Sequence, residues 1–141
     1  MKEFEHLKPP ATEGKIHRIE LQTEGDMVGF ANLEYRNSPF PFYYIKLVFV
    51  LPHARNQGFG KDILNELNHF LDLRKKAGLL FNSIAENDPA YSIYEKAGWK
   101  PVIPGSSCYG YNLPTDLENG RLHKAVYAVE TAEMEKDRKK T

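Results

Sequence analysis

The chain is 141 residues long and contains one cysteine, Cys108, so no internal disulfide can form. No paired Cys or His spacing of a structural zinc site accompanies it, and no metal is expected. Charge of one sign is also missing. Lysine plus arginine count 19 and aspartate plus glutamate count 19, so no overall field draws the molecule to nucleic acid or to an anionic membrane, and neither is expected as a partner. No unbroken apolar run is longer than Leu47 to Leu51, far short of the roughly 20 residues of a spanning helix. The opening Met1-Lys2-Glu3-Phe4-Glu5-His6 lacks the apolar centre of a signal peptide. Together these absences point to a soluble chain in a reducing cytoplasm. No repeat at periods of about 20 to 50 residues is present, which argues against a solenoid or propeller. What remains is enough chain for one domain with a real core.

The pattern along the chain is mixed α and β. Residues 1–15, with Pro9-Pro10 and little apolar periodicity, read as an extended arm. Ile16 to Gln22 alternates as a half-buried strand, and the turn Glu24-Gly25-Asp26 leads to a second strand, Met27 to Tyr35, which makes a hairpin. After the break Asn37-Ser38-Pro39-Phe40-Pro41, Tyr43 to Leu51 is a strongly apolar central strand. From about Gly58 the spacing becomes helical, with Ile63, Leu64, Leu67, Phe70 and Leu71 on one face and Gly78 expected to close the helix. Leu79 to Ala85 is a further strand, expected parallel to the central one. Asn87 or Asp88 can cap a second helix that ends at Gly98. Trp99 to Val102 and Tyr109 to Leu113 read as short strands. Leu122 to Glu130 could be strand or helix, and Val126, Tyr127 and Val129 favour the strand. Residues 16–130 are thus taken as the domain and 131–141 as a charged, frayed tail.

The most informative segment is Arg55-Asn56-Gln57-Gly58-Phe59-Gly60-Lys61, placed after a strand and a proline stop and at the start of the long helix. Glycine lets a ligand approach the backbone, and the free N–H groups and positive dipole of a helix start attract phosphate. A plain strand-to-helix turn would also use such glycines. Two other phosphate loops fail on inspection. A Walker A loop needs glycine where Arg55 stands and Ser or Thr where Asp62 stands, and a dinucleotide fingerprint from Gly58 needs glycine in place of Ile63. Further on, Asn87, Ala90, Tyr94, Gly98 and Trp99 recur along the second helix, a spacing that packing alone could produce.

Arg55, Gly58 and Gly60 match the acetyl-CoA loop of the GNAT superfamily, and Asn87, Ala90, Tyr94, Gly98 and Trp99 match that family's second signature. The chain therefore resembles a GNAT acyl-CoA-dependent N-acetyltransferase over about residues 48 to 99. The resemblance implies an α/β (α+β) fold with a mixed, mostly antiparallel sheet, a central parallel strand pair splayed for CoA, and helices on both faces. It also implies that Val48, Phe49 and Val50 border the pantetheine arm of acetyl-CoA. Arg55, Asn56, Gln57, Gly58, Phe59, Gly60 and Lys61 would surround the pyrophosphate, mostly through main-chain amides. Asn87 would bond the pantetheine or nearby backbone, and Tyr94 would assist the departing thiolate.

The acceptor side is less defined. An amine must be neutral to attack, and a lysine with a pKa of about 10.4 rarely is at neutral pH. Asn82 stands where some family members carry a carboxylate, so Glu34 and Glu86 are the candidate bases, direct or through water; an exposed charge is the plainer reading of each. Family members usually begin with a strand and two helices that wall the acceptor pocket, and those helices are reduced or absent before Ile16. A homodimer partner, or the loops bearing Phe40, Phe42, Tyr109 and Tyr111 as exposed aromatics, could complete it. Two functions follow from the resemblance: an N-acetyltransferase acting on a primary amine, favoured by Tyr94, and a CoA-binding interaction module with little turnover.

Overall fold

The computed structural model describes residues 13–140; most of the expected arm, residues 1–12, lies outside them. β1 (Ile16–Thr23) and β2 (Asp26–Arg36) form a hairpin closed by Glu24 and Gly25, both at positive φ (53° and 85°). This two-residue turn has the twist that matches its strands. β3 (Phe42–Val50) pairs antiparallel with β2. A 3-10 turn, Pro52–Ala54, leads to α1 (Phe59–Arg74), followed by β4 (Ala77–Phe81). A 3-10 turn, Pro89–Ser92, runs into the short α2 (Ile93–Lys96), and β5 (Lys100–Pro101), β6 (Cys108–Tyr111) and α3 (Asn119–Lys140) complete the chain. The six-stranded sheet has the order β1-β2-β3-β4-β6-β5, and only β3 and β4 run parallel.

The strand period of two sends alternate side chains of β3 to opposite cores. Tyr43 and Ile45 meet the apolar stripe of α1, Ile63, Leu64, Leu67 and Leu71, while Phe42 and Tyr44 join Ala125, Val126 and Val129 of α3 on the other face. Each fully buried aliphatic side chain contributes about 1.5–3 kcal/mol of burial. The expected architecture, helices on both faces of a mostly antiparallel sheet, is therefore present.

Four local expectations are corrected. Residues 122–130 are helix rather than strand, because Leu122, Ala125, Val126, Val129 and Ala132 fall three and four apart and dock together on the sheet. That burial outweighs the strand preference of Val126 and Val129, and Tyr127 is left 71% exposed. The same helix runs on through the charged segment expected to fray. Gly78 does not close α1. Lys75 does so in the left-handed conformation (φ 54°), with its N–H bonded to the Asp72 carbonyl. Gly78 lies in β4, where a Cβ would come within 2.6 Å of Leu71 and 2.9 Å of Trp99. Finally, Phe40, Phe42 and Tyr109 are buried core residues rather than exposed aromatics, and Tyr111 stacks on Trp99. Phe40, Phe42 and Tyr109 therefore offer no exposed aromatic surface with which to complete the acceptor side.

Candidate active site

β3 and β4 pair only over Phe42–Ala77, Tyr43–Gly78 and Tyr44–Leu79. Beyond Tyr44 the two strands part. The register of β2 on β3 shifts at this point, from Leu33–Ile45 to Asn32–Leu47, so Lys46 is an extra residue on β3. A bulge of this kind bends its strand and increases the local twist, which accounts for the separation from β4. The resulting cleft, about 610 Å³, is lined by Ile45 to Val48 on one side and by Leu80, Phe81 and Ser83 on the other.

The loop at the end of β3 is built from backbone. Asn56 and Gly58 both adopt positive φ (65° and 82°), which turns the chain into α1. Arg55 closes the loop: its Nε donates to the Val50 carbonyl at 3.0 Å, and its guanidinium lies 5.3 Å from the centre of the Phe49 ring. Gly58 caps α1 with no side-chain bond, and the first intrahelical bond is from Asp62 N to Gly58 O. The amides of Phe59, Gly60 and Lys61 are thus left without an acceptor inside the helix. Gly60 keeps open space, since a Cβ there would meet Ile93 and Val50 no closer than 4.0 Å. A second hollow of about 360 Å³ adjoins it between α1 and α2, edged by Lys61 and Lys96. Unsatisfied amides, the helix dipole and two ammonium groups together suit a diphosphate.

Tyr94 reaches the cleft from α2. Asp88 starts this turn by accepting from Ala90 N at 2.8 Å, and Asn68 of α1 fixes its far end, accepting from Trp99 Nε1 at 2.7 Å and donating to the Ala97 carbonyl at 2.9 Å. Burial raises the Tyr94 pKa above its ordinary value, so the hydroxyl keeps its proton across the neutral range. Among the described residues no hydrogen bond occupies that hydroxyl.

The other face of the cleft belongs to α3. Glu133 and Lys136 line it together with Lys46 and Asn32. Tyr44 donates to Glu133 Oε1 at 2.5 Å, Lys136 Nζ lies 3.1 Å from the same oxygen, and Lys136 also donates to the Lys46 carbonyl at the bulge. Burial, reinforced by the Glu133 hydrogen bond, raises the Tyr44 pKa far above 10, which keeps Tyr44 a donor.

The structure brings Val48 and Tyr94 to the cleft and sets Val50 and Gly60 beside each other at its loop end. Phe49 points away, against Phe30. Glu34 is bound by Arg36 at 2.5 Å and Lys46 at 3.3 Å, and it does not line the cleft. Glu86 and Asn87 are exposed on the loop after β4. Asn82 is buried and ties that loop, accepting from Ile84 N and donating to the Tyr91 carbonyl. Cys108 is fully buried among apolar groups, which pushes its thiol up to about 12 and removes it as a nucleophile. Sequence reasoning missed Tyr44, Glu133 and Lys136, because the segment carrying the last two was taken for a loose tail.

A sheet opened by one splayed parallel pair, with an amide-lined turn at the mouth, is an arrangement suited to a ligand that carries a diphosphate and an extended arm. The family model described as acetyltransferase (GNAT) domain matches residues 15–101, more than half of the chain. The chain belongs to the GNAT acetyltransferase family. No curated protein matches the sequence. Among solved structures, the ribosomal-protein-S18-alanine N-acetyltransferase from Escherichia coli superposes with a TM-score of 0.54 at 18% identity, over 76% of this chain and 77% of that one. An aminoglycoside 6′-N-acetyltransferase complexed with coenzyme A gives 0.51 at 14% identity, over 72% and 76%. A GNAT-family protein from Desulfovibrio desulfuricans gives 0.50 at 20% identity over 67% of this chain, which spans 64% of its length.

Proposed function

We propose that the protein transfers an acetyl group from acetyl-CoA to a primary amine by direct attack in a ternary complex. The observation that carries this reading is the opening between β3 and β4, with the amide-lined turn at one end and Tyr94 at its edge. Acetyl-CoA supplies the acyl group as a thioester. The amides from Asn56 to Lys61 hold its pyrophosphate, and Lys61 and Lys96 add charge beside them. The backbone of Val48 to Val50, released from β4, offers hydrogen-bonding groups to the pantetheine amides. Asn87 would bond the same arm from the opposite loop.

Holding amine and thioester together supplies much of the rate, because orientation converts a bimolecular step into a unimolecular one. The amine nitrogen bonds to the carbonyl carbon, the C–S bond breaks, and the electron pair leaves on sulfur. Tyr94 stands to hydrogen-bond that sulfur. With the phenol above 10 and an ordinary thiol near about 8.5, complete proton transfer is uphill by roughly 2 kcal/mol or more, so a hydrogen bond is the cheaper role. Glu34, tied to two cations, and the exposed Glu86 could accept the amine proton only through water.

The experiment is acetyl-CoA turnover against an α-amino peptide, a lysine peptide, an aminoglycoside and a polyamine, following free thiol and the acetylated amine by mass, with calorimetric CoA binding alongside. Amine-dependent thiol release supports the reading. Tight CoA binding without turnover would make the protein a CoA-binding module instead, and no CoA binding would remove both.

A further inference from the structure

The acceptor side of the cleft is formed by a helix that the family match, residues 15–101, does not reach. α3 is seated by Ala125, Val126 and Val129, each no more than 4% exposed, and its next turns carry Glu133 and Lys136 to the edge of the gap between β3 and β4. Among the described residues lining that gap, Glu133 is the only carboxylate. Its two hydrogen-bonding contacts, from Tyr44 and Lys136, both use Oε1. Oε2 has no protein partner among the described residues. One oxygen fixes the side chain and the other is left for a ligand.

Tyr94 and Glu133 enter the cleft from opposite sides of the sheet, since α2 packs with the core of α1 whereas α3 packs on the other core. A thioester held from the loop side would therefore have Tyr94 near its sulfur and Glu133 across the gap, where an incoming amine must stand. We propose that Glu133 receives the proton that the acceptor amine loses on attacking the thioester. This assignment rests on the transferase reading above. As the N–C bond forms and the C–S bond breaks, the amine proton passes to Glu133 Oε2 and the electron pair departs on the CoA sulfur, with no further reactant required. Tyr44 and Lys136 act as positioning residues. The charged and titratable groups set against this carboxylate are Tyr44 from β3, Cys108 from β6 and Lys136 from α3 itself, with Lys46 lining the same cleft.

The test compares wild type, Glu133→Gln and Glu133→Asp with whichever amine of the panel above wild type acetylates fastest, recording kcat/KM at one neutral pH and CoA affinity by calorimetry. Glu133→Gln is expected to lose about 10²-fold or more in kcat/KM, the usual contribution of general base catalysis. CoA affinity should stay unchanged, and Glu133→Asp should recover part of the rate. A Glu133→Gln rate within threefold of wild type would overturn this assignment and leave the transferase standing. Loss of CoA binding in both variants would give Glu133 a structural role and overturn it too. Absence of turnover by wild type with every amine, despite CoA binding, would overturn the transferase reading and this assignment together.

Discussion

The two sides of the cleft are made differently. The side carrying the loop is main chain: two residues at positive φ, a helix start without a side-chain cap, and a strand edge freed by a bulge. The α3 side is side chain: Tyr44, Lys46, Glu133 and Lys136, drawn from segments about 90 residues apart. Backbone sites depend on a few conformations and tolerate most side-chain changes, whereas a side-chain site depends on each residue and on the docking of the element that carries it. The substitutions below separate the two.

The largest effect is expected from Val129→Asp, which places a carboxylate at a position 1% exposed between α3 and the sheet. It should cost several kcal/mol in denaturant unfolding, while Tyr127→Asp, on the exposed side of the same helix, should stay within about 0.5 kcal/mol. Equal, small effects would show that α3 is no part of the core. Next comes pH. The Cys108 thiol of the α3-side core is raised from 9.0 to about 12. A group whose folded pKa is raised contributes stability that is complete below its unfolded value and is lost as pH climbs towards the folded one. The unfolding midpoint should therefore fall between pH 9 and 12, with a Cys108 share equivalent to about 2 kcal/mol at pH 10.5, and Cys108→Ala should remove that share while leaving the loss above pH 10 that the raised Tyr44 and Tyr109 contribute.

On the loop side, Gly58→Ala forces a Cβ into φ 82° and should cost about 1–2 kcal/mol, with weaker CoA binding seen by calorimetry. Gly60→Ala meets no atom closer than 4.0 Å and, without the backbone strain of Gly58, should raise stability by about 0.4–1 kcal/mol. Gln57→Ala, which loses a 3.5 Å side-chain hydrogen bond to the His53 carbonyl, should leave CoA affinity within about twofold. A larger loss on Gln57→Ala than on Gly58→Ala would reverse the contrast between the two sides.

The same contrast explains what could be read in the residues beforehand. Arg55, Gly58 and Gly60 stand out as a glycine-bearing turn at a helix start, and Tyr94 stands out through the likeness to the family's second signature. The central strand and the stripe from Ile63 to Leu71 follow from periodicity alone. The gap between the parallel strands is expected from the family likeness, but its local cause is not legible, since the extra residue Lys46 looks like any other strand position until its pairing with β2 is known. α3 was misread because Val126, Tyr127 and Val129 suit a strand locally, and only docking on Tyr44 and Cys108 decides for the helix. Once that segment is taken for a loose end, Glu133 and Lys136 drop from view, and the search for a base falls on Glu34 and Glu86.

The most direct test of the account is the thiol-release rate of Tyr94→Phe beside wild type, with the CoA dissociation constant of each. A fall in kcat of about tenfold or more with CoA affinity unchanged is the predicted result, because the lost hydroxyl would act on the departing sulfur and not on the bound ground state. An unchanged kcat would contradict the assignment of Tyr94 and, with it, the direction in which the thioester is placed across the cleft.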